Sequence, residues 1–265
     1  MDLIWLLFVL LIVLEHISPD QPLKIIKQRW VTNFSLLFVS LSITYILNLA
    51  FSSIVADHNG PSGFLTTLDI KAFFSFLFLF FLLDFFYYLL HRVTHYHHLL
   101  WRFHCVHHSD LDIDLSTNFR HHPLELTLTW MLLFAVVWLI GIEPVVMGAF
   151  AAVSYIIQMW HHSNIKMNAT FDNYLGYLLV TPRIHRVHHC AYKPYTDSNY
   201  GMIFTIWDRI FGTFTSPDNL KKPTRYGLEY FTEPRQQSFI GVLMQPFVLR
   251  KKSKSKSKNL RGQVR

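Results

Sequence analysis

The sequence predicts an all-α integral membrane protein: a bundle of four to five spans with a cytosolic helical cap that holds a histidine-rich dimetal site. Three observations carry that expectation. Half of the residues (51%) are hydrophobic and only 15% are charged, against roughly 25% charged in ordinary soluble domains. Runs nearly free of charge recur at lengths able to cross a hydrocarbon core. Fourteen of the sixteen histidines fall between His91 and His189, grouped at spacings of three and four.

The elements follow in order. Residues 3–14 form an apolar run that extends at most to Ile17. No basic residue precedes it and no small-residue cleavage site follows, so it reads as a short first span and not a cleaved signal peptide. A polar connection carrying Lys24, Lys27 and Arg29 leads to residues 34–56, 23 residues without a charge. The cluster Asp57-His58-Asn59-Gly60-Pro61 reads as a turn. Residues 72–90 carry one charge, Asp84, and run directly into His91. Residues 126–160 carry only Glu143, with Gly141 and Pro144 at their middle, which predicts a tight hairpin of two spans or of two half-embedded helices.

Basic residues orient such a chain. Lys24, Lys27 and Arg29 place the first connection in the cytosol, so the turn at 57–61 lies outside. The third span then returns to the cytosol at His91, and the hairpin leaves and re-enters before His161 and His162. Every histidine group therefore falls on one side of the membrane. The formal net charge of +7 is a local matter. Residues 250–265 contain eight Lys or Arg and no acid, and the rest carries sixteen basic and seventeen acidic residues. Nothing in this balance points to nucleic acid; the tail suits an anionic lipid surface or free solvent. Cys105 and Cys190 exclude a disulfide-rich fold, and both read as lying off the ligand face of the motifs they adjoin.

Grouped histidines speak of metal because residues three and four apart share one helical face. His91 and His95 are i and i+4; His104, His107 and His108 form an HxxHH, and His185, His188 and His189 form another. Eight imidazoles exceed what one metal takes and suit two. Neutral imidazole serves zinc, copper, iron and nickel. There is no Glu-x-x-His pair of the carboxylate-bridged kind and no HExxH. His162, at the end of the hairpin, is the best candidate to complete the site. His161, His122 and Asp84 are candidates to add a ligand or to hydrogen-bond a ligating imidazole, although Asp84 lies two turns before His91. His16 and His58, standing alone, read as loop or surface residues, and His97 and His98 fall off the register of the first motif. The phenylalanines of residues 73–86 would line a slot for a lipid chain or, as ordinary packing, meet lipid and core.

In order along the chain, DFFYYLLHRVTH, WRFHCVHHS, RHHPLE, HHSNI, TPRIHRVHH, TDSNYG and WDRIFGT resemble the fatty acid hydroxylase/sterol desaturase superfamily of membrane di-iron oxygenases, over about half of the chain. The resemblance implies a non-haem centre of two iron ions at the cytosolic membrane face, held by His91, His95, His104, His107, His108, His162, His185, His188 and His189. Asn199 and Asp208 resemble scaffold around it. It further implies O2 as co-substrate and a membrane lipid (sterol, fatty acyl or related) whose C–H bond is hydroxylated or desaturated. No HPGG-like segment occurs, so electrons are expected from a separate donor: a cytochrome b5-like protein, a ferredoxin or a reductase. The implied organisation is membrane spans in 1–70, a catalytic domain in 71–235 and a basic tail in 236–265, in a bacterial inner membrane or the endoplasmic reticulum. The residues alone leave rivals: imidazoles bind zinc as readily as iron, which keeps a zinc-dependent membrane hydrolase open, and a metal transporter less so.

Overall fold

Five apolar helices bring alternate ends to one level: α1 (Asp2–Ile17), α2 (Ile26–Ala56), α3 (Ala72–Tyr96), α5 (Pro123–Ile140) and α6 (Pro144–His162). The structure is a computed structural model that describes residues 2–22, 26–56, 72–142, 144–193, 195–220 and 225–248. At the shared level lie the last turns of α1, α3 and α6 and the first turns of α2 and α5, joined by contacts such as Glu15 with Leu115 and Asn164 and Arg29 with Asp110. The turn at 57–61, Lys24, Glu143 and residues 249–265 of the expected basic tail lie outside the described residues. The shorter helices α4 (His98–His108), α7 (Ala169–Leu175), α8 (Pro182–His188), α9 (Ile206–Ile210) and α10 (Phe239–Met244) cover that end of the bundle. Among the described residues there is no strand, only isolated bridges such as Leu179 with Phe204.

Among the described residues, three helices are long and apolar enough to cross a membrane: 27–50 within α2, 74–96 within α3, and α5. The expected hairpin is α5 and α6. Pro123 opens α5, where a missing N–H costs nothing, and Gly141 closes it in the left-handed region (φ 77°), which a side chain would strain. The large side chains that face outward are apolar: Phe38, Leu41, Ile46, Phe78 and Leu139 are all more than half exposed. An exposed apolar surface of this extent means a non-aqueous neighbour. The described phenylalanines of α3 take the packing role and none lines the cavity at the imidazoles. Phe76 and Phe80 pack inward with Leu83 and Phe150, while Phe78 and Phe81 face out.

A seam of buried charge ties α1 and α2 to the segment after α4. Arg29 donates to Asp110 (2.6 Å), Asp114 (2.7 Å) and Thr117 (3.2 Å). Arg120, fully buried, donates to the Val106 carbonyl (3.0 Å), Asn33 (3.1 Å), Ser109 (3.0 Å) and Gln237 (2.7 Å). Glu15 accepts from the backbone of Leu115 and Asn164, and Arg186 pairs with Asp20. Burial pushes the Asp110 carboxyl up, but Arg29 and Arg120 outweigh it and hold the group down at about 2. Arg29 is 4% exposed and paired with two carboxylates, whereas Lys27 faces out.

Candidate metal centre

Four helices end at one chamber. His91 and His95 lie near the end of α3, His104, His107 and His108 on the last turns of α4, His161 and His162 at the end of α6, and His185 and His188 on α8. His189 caps α8. Each helix C-terminus carries roughly half a negative charge, so converging ends favour a cation between them. Helix α8 is only seven residues long, and Thr181, accepting from the Ile184 N–H, and Pro182 fix its start.

The imidazoles sort into two groups. His91, His95, His104, His108 and His188 offer nitrogens that lie within 4.8 Å of one another, and so do His107, His162, His185 and His189. In the second group, Nε2 of His162 is 3.2 Å from that of His107 and 2.9 Å from that of His185, which is 3.0 Å from that of His189. Two nitrogens bound to one ion at about 2.1 Å stand about 3.0 Å apart when at right angles. The separations are those of ligands round a common centre.

Outer partners set the tautomers. Carbonyl oxygens only accept, so Nδ1 carries the proton in His91 (to Tyr200 O, 2.9 Å), His188 (to Ser198 O, 2.7 Å) and His162 (to Gln158 O, 2.8 Å). His104 donates to Glu125 Oε1 at 2.6 Å and His95 reaches Asp197 at 3.4 Å. This leaves Nε2 of each with a free lone pair, as metal ligation requires. Nε2 of His91, His95 and His188 is buried without a hydrogen-bond partner, a condition that costs about 1–3 kcal/mol per group unless an ion fills it. Burial first, and then the neighbouring imidazoles, push His107, His108, His185, His188 and His189 well below the usual histidine range. They stay neutral, the form that binds metal. The donor set therefore fits two nitrogen-bound transition-metal ions.

The other expected residues fall as follows. Asp84 does not reach an imidazole. Seven residues of helix separate it from His91 by about 10 Å, and it instead accepts from the backbone of Ile203 and Phe204 and from Trp207 Nε1 (2.8 Å). His122 faces away from both groups, accepting from the Leu124 N–H as the cap of α5. Its neighbour His121 turns inward, stacked on His107 at 4.2 Å. His161 stacks on His185 at 4.0 Å and lies outside both groups. Asn199, with φ 54°, donates to the carbonyls of Ile184 and Thr215 and so braces α8. Asp208 accepts from the N–H groups of Tyr200 and Gly201, holding the carbonyl that orients His91. A Cβ on Gly201 would lie 2.6 Å from the Phe204 carbonyl. Cys105 and Cys190 are buried outside both groups, and His97 and His98 face outward.

The residue that spacing did not single out is Glu125, the acid in the first turn of an otherwise uncharged helix. An acid there is costly and flags a role; it stands four residues after His121, across the start of α5. Its carboxylate bonds His104 and reaches His121 at 3.4 Å. A cavity opens from the imidazoles between α3, α5 and α6, with Tyr87, Leu90, Leu126 and Met202 on its apolar side.

Comparison with known proteins places this geometry. The sequence model described as Fatty acid hydroxylase matches residues 76–213, just over half of the chain and all of both imidazole groups. The chain is 34% identical to the human alkylglycerol monooxygenase over 147 residues, 56% of this chain and 31% of that protein. It is 32% identical to an ornithine lipid hydroxylase of Rhizobium tropici over 160 residues, 60% of this chain and 46% of that protein. A very-long-chain aldehyde decarbonylase of Oryza sativa subsp. japonica is 29% identical over 160 residues, 55% of this chain and 24% of that protein. The match thus spans less than half the length of each of these relatives. No solved structure matches the chain.

Proposed function

The chain belongs to the fatty acid hydroxylase family, and from that premise we propose that it is a membrane-bound non-haem di-iron oxygenase that hydroxylates a C–H bond of a lipid. The reading is carried by one observation: nine imidazoles converge in two groups, with buried lone pairs that no protein donor meets. His91, His95, His104, His108 and His188 would hold one iron, and His107, His162, His185 and His189 the other. Bound iron supplies the redox chemistry that reduces O2 and takes hydrogen from an unactivated carbon, which acid–base side chains cannot do. In balance, one C–H bond and one O2, with two electrons and two protons, give one alcohol and one water. The electrons come from a separate protein donor.

The chain's own residues do the positioning. Glu125, Tyr200 O and Ser198 O fix the ring planes of His104, His91 and His188. Asp208 and Asn199 hold the loop and helix that carry those acceptors. Leu90, Leu126 and Met202 give the cavity an apolar wall, which excludes water and lets an alkyl chain lie with one carbon toward the histidines; fixing that carbon sets the position of attack. The lipid class follows from the relatives, of which two are named for oxygenating an alkylglycerol and an ornithine lipid. With the histidine end of the bundle in the cytosol, a soluble donor reaches the site while the substrate stays in the bilayer.

The test is oxygen-18 tracing. Membranes containing the chain are supplied with a reductase system and 18O2, and lipids are compared with those from the His188→Ala variant. The expected product is a lipid heavier by one labelled oxygen, absent from the variant. An unlabelled product lighter by two hydrogens would replace hydroxylation by desaturation. Lipid cleavage that needs no O2 would overturn the proposal in favour of a zinc hydrolase.

A further inference from the structure

Two segments of the cap expose apolar side chains with almost no charge among them. Residues 169–179 contain one charged residue, Asp172, and it is buried. They present Phe171 (60% exposed), Tyr174 (74%), Tyr177 (70%) and Leu178 (58%). Residues 203–211 join them: Thr205 hydrogen-bonds the carbonyls of Gly176, Tyr177 and Leu178. This segment adds exposed Ile206, Ile210 and Phe211. Its acid, Asp208, is buried, and Arg209 lies with its guanidinium 3.9 Å from the ring of Phe214 and 4.9 Å from that of Tyr177.

The unit is continuous with a membrane-crossing helix. Phe204 stacks on Phe81 (4.8 Å, 20°), Trp207 and Phe211 pack on Phe85, and Trp207 Nε1 donates to Asp84. Those α3 residues lie at or just before the middle of the 74–96 span, six to ten residues before His91. A second segment repeats the pattern on another helix. Residues 239–248 contain no charged residue. They pack on α2 through Val242 and Leu36 and expose Ile240 (65%), Met244 (50%), Phe247 (52%) and Val248 (47%). Leu36 lies nine residues into the 27–50 span from the histidine end. A water-facing cap would carry Lys and Glu here. Two uncharged aromatic and aliphatic faces, packed on different spans, fit a lipid-facing position at the edge of the bilayer, where tyrosine and tryptophan concentrate. An arginine laid along aromatic rings can reach headgroups from that depth. The sequence beyond 248 turns at once to eight Lys and Arg in 250–265, as an anionic headgroup layer would favour.

We propose that the faces 169–178/206–211 and 240–248 are a lipid-embedded collar that sinks the cap into the headgroup–acyl boundary, so that the imidazole chamber lies at membrane depth and not above it. The inference rests on the membrane reading of α2, α3 and α5 and is independent of which metal the histidines hold.

The experiment attaches an environment-sensitive fluorophore to single cysteines in the full chain, reconstituted in phosphatidylcholine nanodiscs. The two native thiols are buried. Tyr174→Cys, Ile210→Cys and Ile240→Cys report on the collar. Phe81→Cys reports on the span, and Lys193→Cys, whose side chain is 74% exposed, reports on water. The expected result is quenching of all three collar labels by shallow spin-labelled lipid at least as strong as that at Phe81, which lies near mid-span, with iodide quenching several-fold weaker than at Lys193. Iodide quenching equal to that at Lys193 overturns the collar. Protection from both quenchers, with a particle of twice the mass, assigns the faces to a second copy and also overturns it. If Phe81 itself escapes lipid quenching, the membrane reading has failed and the collar falls with it. Should one substitution block folding, the other two decide.

Discussion

Two buried polar regions lie side by side in this molecule and are built on opposite terms. In the seam of Arg29, Asp110, Asp114 and Arg120, the charges meet protein partners: Arg29 finds two carboxylates, and Arg120 four acceptors. In the adjoining chamber the imidazoles have one nitrogen anchored and the other left over, or Nε2 facing a neighbouring imidazole and Nδ1 unmet. Burying unpaired polar groups is costly, so the first arrangement is complete as protein and the second is complete only with something added. Segment 104–120 belongs to both regions, His104 to His108 facing the chamber and Asp110 to Arg120 the seam. The seam thereby fixes where the ligands stand.

The largest effect should come from removing a nitrogen from the chamber. His107→Ala and His188→Ala are each expected to abolish metal-dependent activity and to lower bound metal, while the protein still inserts and elutes as wild type. Metal analysis of the purified variants checks this, and full activity in either would break the ligand assignment. Next is the seam. Asp110→Asn strips one partner from a buried guanidinium, a change that costs about 3–5 kcal/mol. It should lower the thermal midpoint in detergent and leave the metal content of the folded fraction unchanged. Loss of metal without loss of stability would erase the distinction between the regions. Smaller again is Glu125→Gln, which keeps an acceptor for His104 but removes its charge. Partners of this kind are worth about 10–100-fold in metal affinity or activity. Chelator challenge should release metal from the five-histidine group first, with folding unaffected.

How much of this could be read from the sequence divides along the same line. Helical spacing depends on neighbours in sequence, so the three grouped motifs and the hairpin round Gly141 were legible. What was not legible are pairings across long separations. Glu125 meets His104 from another helix, and Tyr200 and Ser198 orient His91 and His188 through backbone carbonyls, which carry no residue signature. Asp84 looked like a partner for His91 because both share a helical face, yet its bonds run to residues 203–207. In RHHPLE, spacing alone could not tell which histidine faces in, because the cap of α5 consumes His122 and frees His121. The ion pairs of Arg29 with Asp110 and Asp114, some eighty residues on, were likewise not legible.

The account turns on what the two groups hold. Mössbauer spectroscopy with metal analysis on the full chain, purified anaerobically from iron-57 culture, addresses that directly. The prediction is two iron ions per chain, magnetically coupled, with a His188→Ala sample that loses the coupled signal. One ion per chain, or two zinc ions that persist under anaerobic preparation, would contradict the di-iron oxygenase.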